Sequence, residues 1–130
     1  MRLIKHSAQL AVVKLPPGTT VPPWVEGGDF LSITRTPEEL SIVCESRLVP
    51  HDLARPEPWI RLEVEGPLSF SVVGVLAALT VPLAEAEVSV FPIATYDTDH
   101  LLIRVCEEQH ARDALTDAGN EIVNAHDLRL

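Results

Sequence analysis

The sequence predicts an α+β fold, and the order of elements over residues 59–125 carries this prediction. Residues 59–65 alternate apolar and polar side chains with a period of two, which is typical of a half-buried strand. An Ala/Leu-rich helical segment near 74–86 and an amphipathic segment over 107–118 follow, and strand-like runs lie between and after them. The resulting order, β-α-β-β-α-β, is the split arrangement of ferredoxin-like domains.

The first half of the chain predicts strands but no long helix. Pro16–Gly18 closes the first strand, and the turn Thr36–Glu39 joins the second to the third. This β-turn-β-β order is the plan of the second half with its helices reduced or missing. We therefore expect a reduced N-terminal unit over 1–57, with a proline-rich linker at its end, and a complete unit over 58–130. The three runs that predict strands in the first half are residues 8–15, 30–35 and 40–45.

The elements of the second half are more regular. The first strand places Ile60, Leu62 and Val64 on one face, with charged residues on the other. The first helix has no charge before Glu85, which predicts that it is buried, and Pro82 is expected to bend it. The second helix carries an Ala/Leu stripe and stops at a glycine. Further strands are predicted at 88–94 and 101–105, with a last short one at Ile122–Val123.

The charge balance excludes two classes of partner. The 130 residues carry a formal net charge of −9, with only 10 Lys and Arg, and the pI is about 4.9. Nucleic-acid binding is driven by clustered cations that release counterions from the phosphates, and the cations here are scattered along the chain. Anionic membrane surfaces are disfavoured for the same reason. We expect no nucleic-acid partner and no membrane partner.

The cysteines and the N-terminus indicate the compartment. The two cysteines, Cys44 and Cys106, are not in a CxxC spacing, so no disulfide framework or zinc knuckle is predicted. The first six residues return to charge before an apolar run develops, unlike a signal peptide. The most apolar stretch, Val72–Leu83, is too short to span a bilayer. We expect a soluble, cytoplasmic protein.

Residues 74–90, GVLAALTVPLAEAEVSV, resemble the opening of an ACT domain. Gly74 matches the loop glycine of that family, Val75 and Leu76 the paired aliphatic residues, and Val88–Val90 the second strand. With EGPLSF upstream, ATYDTDHLLIRV downstream and FLSITRTPEELSIVC in the first half, the chain over about 8–125 is similar to small bacterial ACT-like proteins. It is also similar to the repeats of the cytosolic arginine sensors of the CASTOR type.

The resemblance implies a small-molecule site at the loop between the first strand and the first helix of the complete unit. Backbone N–H groups at a helix N-terminus receive a carboxylate, and a glycine lets a ligand approach the main chain. An ordinary tight turn is the alternative interpretation of this loop. The residues of the loop are Ser71, Val72, Val73, Gly74, Val75 and Leu76.

A second candidate segment is the turn after the neighbouring strand. Its carboxylates are suited to a ligand amine or guanidinium, although the same residues are also typical of a solvent-exposed hairpin turn. The turn comprises Thr95, Tyr96, Asp97, Thr98 and Asp99.

The sequence departs from the family at two places. Ser71 and Val72 stand where many ACT domains have Asp and Arg, which puts the usual ligand contacts there in doubt. Glu87 replaces the usual glycine at the end of the first helix, so we expect that turn to be made differently.

Other chemistry is poorly supported. Gly27–Phe30 is similar to the signature of diguanylate cyclases, but the metal-coordinating acid is missing and too few residues precede it. His51–Asp52 and His126–Asp127 lack further ligands at metal-binding spacing. Cys44 lies in an apolar strand and is interpreted as a small core residue, whereas Cys106 is followed by two glutamates that disfavour a thiolate. We expect no catalytic residues, no metal and no cofactor.

The sequence thus predicts a regulatory or sensory protein, not an enzyme, that binds an amino acid or a similar small zwitterion. The alternative is an ACT-like scaffold or partner-regulating protein with no small ligand. Because exposed strand edges are usually paired or covered, we also expect a homodimer.

Overall fold

Strands dominate the chain, and two α-helices lie in its second half. The computed structural model describes residues 1–53, 57–66 and 73–128. Within those ranges the strands and helices are β1 Arg2–Leu15, β2 Ser32–Arg35, β3 Leu40–Glu45, β4 Trp59–Val64, α1 Val75–Glu85, β5 Phe91–Ala94, β6 Asp99–Arg104, α2 Glu108–Asp117 and β7 Glu121–Asn124. The predicted α+β class and the β-α-β-β-α-β order of the second half are confirmed.

The chain divides into two compact units. The larger unit consists of residues 1–7 and 60–130, and the smaller unit consists of residues 8–59. The predicted division into 1–57 and 58–130 differs from this grouping at the N-terminus. The first seven residues group with the larger unit because their strand pairs with β7 at the other end of the chain.

The sheet of the larger unit has the order β7-β1-β4-β6-β5. The first residues of β1 pair with β7 in parallel, from Arg2 opposite Glu121 to Lys5 opposite Asn124. On the other side of β1, the Glu65 N–H donates to the carbonyl of Arg2 at 3.0 Å. The N-terminus of the chain therefore adds a strand to the four of the predicted β-α-β-β-α-β unit.

The early start of β1 corrects a sequence prediction. The predicted strand begins at residue 8, because three basic residues interrupt the apolar pattern before it, whereas β1 begins at Arg2. In the structure each of these basic side chains contacts a carboxylate of the larger unit. The pairs are Arg2 with Glu65, Lys5 with Glu108 at 2.6 Å, and His6 with Glu63 at 2.9 Å.

Both helices contribute to one hydrophobic core in the larger unit. From α1 the buried residues are Leu79 and Leu83, and from α2 they are Ala111 and Leu115. The strands complete this core with Leu3, Ile60, Leu62, Val64, Leu101 and Ile103.

The prediction that α1 is buried is wrong for most of its surface. Leu76 is 37% exposed and Val81 52% exposed, although no charged residue lies between them. A helix surface without charge can be buried at low cost, but it need not be buried. Whether another part of the chain packs against it cannot be deduced from composition.

The two helices end in the same turn, made with different residues. After α2, the Gly119 N–H donates to Thr116 and the Asn120 N–H to Leu115, with Gly119 at a φ of 95°. This is the glycine stop that the sequence predicts.

After α1, the Glu87 and Val88 N–H groups donate to Ala84 and Leu83 in the same pattern. Glu87 itself takes a φ of 59°. The expectation that this turn is made differently is therefore wrong: the hydrogen bonds are the same, and a non-glycine residue occupies the left-handed position at an energetic cost.

The smaller unit is built on three antiparallel strands. The later part of β1 pairs with β3, from Leu10 opposite Glu45 to Leu15 opposite Leu40, and β2 pairs with the other edge of β3. Its core contains Ala11, Val13, Val25, Leu40, Ile42, Cys44 and Val49. Cys44 is thus a core residue as predicted, and burial, with a further contribution from Glu45, raises the pKa of its thiol.

The glycine pair before β2 has a packing role. The buried Glu45 carboxylate accepts the Asp29 N–H at 2.7 Å and contacts Arg47 Nε at 2.9 Å, while Arg47 also donates to the Gly27 carbonyl. A Cβ on Gly28 would lie 2.7 Å from a Glu45 oxygen. A side chain at position 28 would therefore displace the Glu45 carboxylate from the Asp29 N–H.

The strained turn after α1 provides a stability test. Glu87→Gly should raise the free energy of unfolding by about 0.5–1 kcal/mol, because glycine adopts a positive φ without a Cβ clash, offset by its freedom in the unfolded chain. Chemical denaturation of the two proteins measures this difference. Glu87→Ala is the control, since it removes the charge and keeps the Cβ. Equal stabilisation by alanine and glycine would show that the charge, and not the backbone, is unfavourable.

Candidate functional site

A single hydrogen bond defines the end of the sheet at which the candidate residues meet. The hydroxyl of Thr98 donates to the carbonyl of Val64 at 2.6 Å, and Thr98 is buried. Val64 is the last residue of β4, the strand that leads toward α1. The turn between β5 and β6 and the start of the loop between β4 and α1 therefore lie at the same end of the sheet.

The turn between β5 and β6 is shaped by its two threonines. The Thr95 N–H and hydroxyl both donate to the Thr98 carbonyl at 2.9 Å, and the Thr98 N–H donates to the Thr95 hydroxyl at 3.4 Å. Both hydroxyls thus have partners inside the protein. Their part is to hold the turn, while the residues between and beside them present side chains outward.

Three side chains of this turn are directed toward solvent to different degrees. Tyr96 is 80% exposed, Asp97 is exposed and Asp99 is half-buried. The Arg and Lys side chains of the described ion pairs contact other carboxylates, and none contacts Asp97 or Asp99. Two carboxylates within three residues make this end of the sheet a locus of negative charge.

The N-terminus of α1 supplies the opposite polarity. The first hydrogen bond of the helix runs from the Ala78 N–H to the Gly74 carbonyl at 2.9 Å. The preceding N–H groups of the first turn have no partner within the helix. Within the described part of the chain no side chain caps them, and the first turn contains no acidic residue. These donors and the helix dipole favour a negatively charged group from outside the helix.

Gly74 has the conformation that the ligand interpretation requires. It lies just before α1 with φ 80° and ψ 0°, in the left-handed region. No atom of the described residues lies within 4 Å of where its Cβ would be. The need for glycine here therefore comes from the backbone conformation, and the space beside it is open.

The other predicted loop residues are distributed as follows. Ser71 and Val72 lie outside the described residues. Val73 is 88% exposed and precedes Gly74, while Val75 and Leu76 form the first turn of α1, with Val75 packed against the core. The described part of the loop is thus an exposed apolar segment beside uncapped helix donors.

The sequence analysis did not single out two buried ionisable residues on strands β4 and β6. Arg61 and His100 are each only 7% exposed, and Arg61 Nη1 lies 3.2 Å from His100 Nδ1. Burial, followed by the neighbouring Arg61 charge, lowers the pKa of His100 below its ordinary value of 6.5. The period-two pattern of β4 places Arg61 on the face opposite the core, but such a pattern does not indicate whether that second face is buried.

Other sites receive no support from the described residues. Within these ranges, no three His, Cys, Asp or Glu side chains lie close enough together to hold a metal ion. Cys106 is exposed and is the middle residue of a short 3₁₀ turn, Val105–Glu107.

None of the described helices is both long enough and apolar enough to cross a membrane.

Comparison with known proteins places the chain in a family. The family model described as ACT domain matches residues 54–117, and a model of a distinct N-terminal domain matches residues 8–52. A crystal structure of a protein from Agrobacterium tumefaciens is 32% identical, covers 96% of this chain and 93% of its own, and has a TM-score of 0.88. Residues 54–117 match an ACT domain, and the chain belongs to the same family as the Agrobacterium protein.

Further structures share the fold of this ACT-domain protein. A Vibrio cholerae protein of unknown function is 22% identical over 87% of this chain and 85% of its own, with a TM-score of 0.73. An aspartate kinase from Clostridium acetobutylicum, described as an allosteric enzyme, is 10% identical over 86% of this chain and 33% of its own, with a TM-score of 0.61. No curated protein matches the sequence.

Proposed function

We propose that this ACT-domain protein is a regulatory protein that binds an amino acid at the sheet end defined by Val64 and Thr98. One observation carries the proposal. The hydrogen bond from Thr98 to Val64 ties the turn with two carboxylates to the end of β4, the strand that leads along the chain to the uncapped N-terminus of α1. A zwitterion carries the two charges that such a site would bind.

The carboxylate end of the ligand would bind at the start of α1. The N–H groups there lack partners within the helix, and Gly74 leaves the space beside its backbone open. A carboxylate accepting such donors forms charge-assisted hydrogen bonds, which are stronger than neutral ones. The predicted contacts of Ser71 to Leu76 belong to this half of the site.

The amino end of the ligand would bind at the turn. Asp97 and Asp99 would supply the negative charge. The ring of Tyr96, the residue between Thr95 and Asp97 in the sequence, is exposed and could contact an ammonium or guanidinium group through its face. A ligand with a cationic side chain, such as arginine or lysine, would use both carboxylates. Thr95 and Thr98 would serve by holding the turn in place.

The competing hypothesis is a scaffold that regulates a partner without a small ligand. The exposed apolar surface of α1 favours it, because such surfaces often mark contacts with other proteins. Under this hypothesis the turn is an ordinary hairpin, and Asp97 and Asp99 affect only its solubility and local stability.

The same surface of α1 supports a homodimer. An isologous contact packs the same surface patch of two copies together, so acidic residues within the patch would repel one another. In a chain of net charge −9 an uncharged surface is therefore best suited to such a contact. The outer side of α1 meets this condition from Val75 to Ala84. By contrast, Pro92 interrupts the donors of β5, which lies at the edge of the sheet and would otherwise offer a strand for pairing.

Ligand binding is tested by a thermal-shift screen of the twenty common amino acids, followed by calorimetry on any hit. A ligand at 100-fold excess over Kd should stabilise the protein by about 2.7 kcal/mol. Asp97→Asn and Asp99→Asn should each weaken binding by about 2–5 kcal/mol if they contact a desolvated ammonium. Asp117→Asn, at an exposed position on α2, is the charge-matched control and should leave affinity unchanged.

The loop is tested separately with two equally strained variants. Gly74→Val and Gly119→Val both place a β-branched residue at a positive φ with no atom within 4 Å, so both should lose stability. Only Gly74→Val should also abolish the ligand response. If no amino acid stabilises the wild-type protein, or if both aspartate variants bind normally, the two-ended site is wrong and the scaffold hypothesis gains.

Self-association is tested by light scattering at tens of micromolar protein. The wild-type protein should give about twice the chain mass of 14.2 kDa. Val81→Glu should shift it to the single-chain mass, because the contact would bring two buried like charges together. Gln9→Glu adds the same charge at an exposed position of β1 and should leave the mass unchanged. A wild-type protein of single-chain mass would contradict the dimer.

A further inference from the structure

The face of the larger unit's sheet that points away from the helices carries four ionisable side chains from three neighbouring strands. On β4, Arg61 and Glu63 alternate with the core residues, and on β6, His100 precedes the core residue Leu101. His6 of β1 completes the set, which we call the His–Arg–Glu cluster. Arg61 and His100 are almost fully buried, and His6 and Glu63 are about a quarter exposed.

The geometry fixes the protonation state of His100. Its Nδ1 lies 3.2 Å from Nη1 of Arg61. A guanidinium group has only donors, so Nδ1 must accept the hydrogen bond and carries no proton. His100 is therefore neutral, with its proton on Nε2. A second proton on the ring would remove this hydrogen bond and place two positive charges in contact inside the protein.

Glu63 is shared between the two ends of the cluster. Its Oε1 lies 2.9 Å from His6 Nε2 and 3.3 Å from Arg61 Nη1. Glu63 therefore contacts His6 on one side and, on the other, the Arg61 guanidinium that donates to His100.

Two further neighbours of His100 lie on its own strand and on the next one. Asp99 precedes it on β6, and Ile93 of β5 is its cross-strand neighbour. The negative groups that favour protonation among the described residues are thus Glu63 and Asp99. Burial, Arg61 and His6 oppose it, and together they lower the pKa of His100.

The cluster lies on the strand pair that anchors the candidate turn. His100 is two residues after Thr98, and Arg61 is three residues before Val64. We propose that the His–Arg–Glu cluster is an acid-sensitive switch, in which protonation of His100 separates it from Arg61 and loosens the β4–β6 contact that holds the turn at Val64. The switch concerns the strands of the chain itself and stands independently of any ligand.

The sign of the pH dependence follows from the lowered pKa of His100. Below pH 6.5 the unfolded chain binds a proton at this residue that the folded chain does not. The stability contributed by neutral His100 is fully present above pH 6.5 and is lost as the pH falls through the lowered folded-state pKa. One such proton changes the unfolding equilibrium constant by at most about tenfold per pH unit.

The experiment compares unfolding of the wild-type protein with His100→Gln between pH 8 and pH 5. Glutamine keeps an acceptor for Arg61 but does not titrate. Below pH 6.5 the unfolding constant of the wild-type protein should rise more steeply than that of His100→Gln, by up to about tenfold per pH unit. His110→Gln, at an exposed position on α2, should follow the wild-type curve. Equal slopes for wild type and His100→Gln would overturn the proposal.

A second measurement does not depend on the variant folding. Ring ¹⁵N shifts of the wild-type protein should show neutral His100 with its proton on Nε2 at pH 7. Backbone hydrogen exchange of Thr98 and His100, corrected for intrinsic rates, should accelerate as the ring becomes protonated. A ring already protonated at pH 7, or exchange that does not change through the titration, would overturn the switch.

Discussion

The larger unit depends on a strand that comes from the opposite end of the sequence. Leu3 is fully buried in the core of that unit, and the residues around it pair with β7 on one side and contact β4 on the other. The Glu121 N–H donates to the carbonyl of Met1, so even the first residue is held in the sheet. Without these residues, β7 would lose its backbone partners and the core would open beside Leu3.

This dependence joins the two units through one continuous strand. The first residues of β1 complete the sheet of the larger unit, and the later ones form the sheet of the smaller unit with β3. A cut between residues 57 and 58 would therefore separate β7 from the residues of β1 with which it pairs. The match to an N-terminal domain model over 8–52 lies within the smaller unit and excludes residues 1–7, which belong to the larger unit.

Strands β4 and β6 of the larger unit carry polar groups in two different surroundings. At one end, Thr98 and Val64 hold the turn beside the route to α1, and the charged groups that would contact a ligand are exposed there. Along the same strands, Arg61 and His100 are buried and matched to each other. Rigid buried contacts that support exposed polar groups are the arrangement that positions a binding site.

Much of the fold was predictable because local pattern and tertiary structure agree. Both helices, the period-two strand β4 and the glycine stop at Gly119 follow from periodicity and turn chemistry. The start of β1 was not predictable in this way. Its Lys5 and His6 look like surface residues until the carboxylates of distant segments are placed beside them.

The arrangement of the candidate site was less predictable from the sequence for the same physical reason. Thr98 was predicted as a ligand residue from the turn sequence, but only the fold reveals that its hydroxyl is already bonded to Val64. The burial of Arg61 depends on the neighbours of β4, and the exposure of α1 depends on what packs against it. The binding roles of residues 71–76 and 95–99, and the cytoplasmic location, stay predictions.

We propose that a small zwitterion binds between the start of α1 and the turn after β5. Titration of ¹⁵N-labelled protein with the amino acid that gives the largest thermal stabilisation tests this directly. We expect the largest amide shift changes in two separate segments, Val73–Leu76 and Tyr96–Asp99, with both saturating at the same ligand concentration. Changes confined to one segment, or centred on the outer surface of α1 or on the smaller unit, would contradict the account.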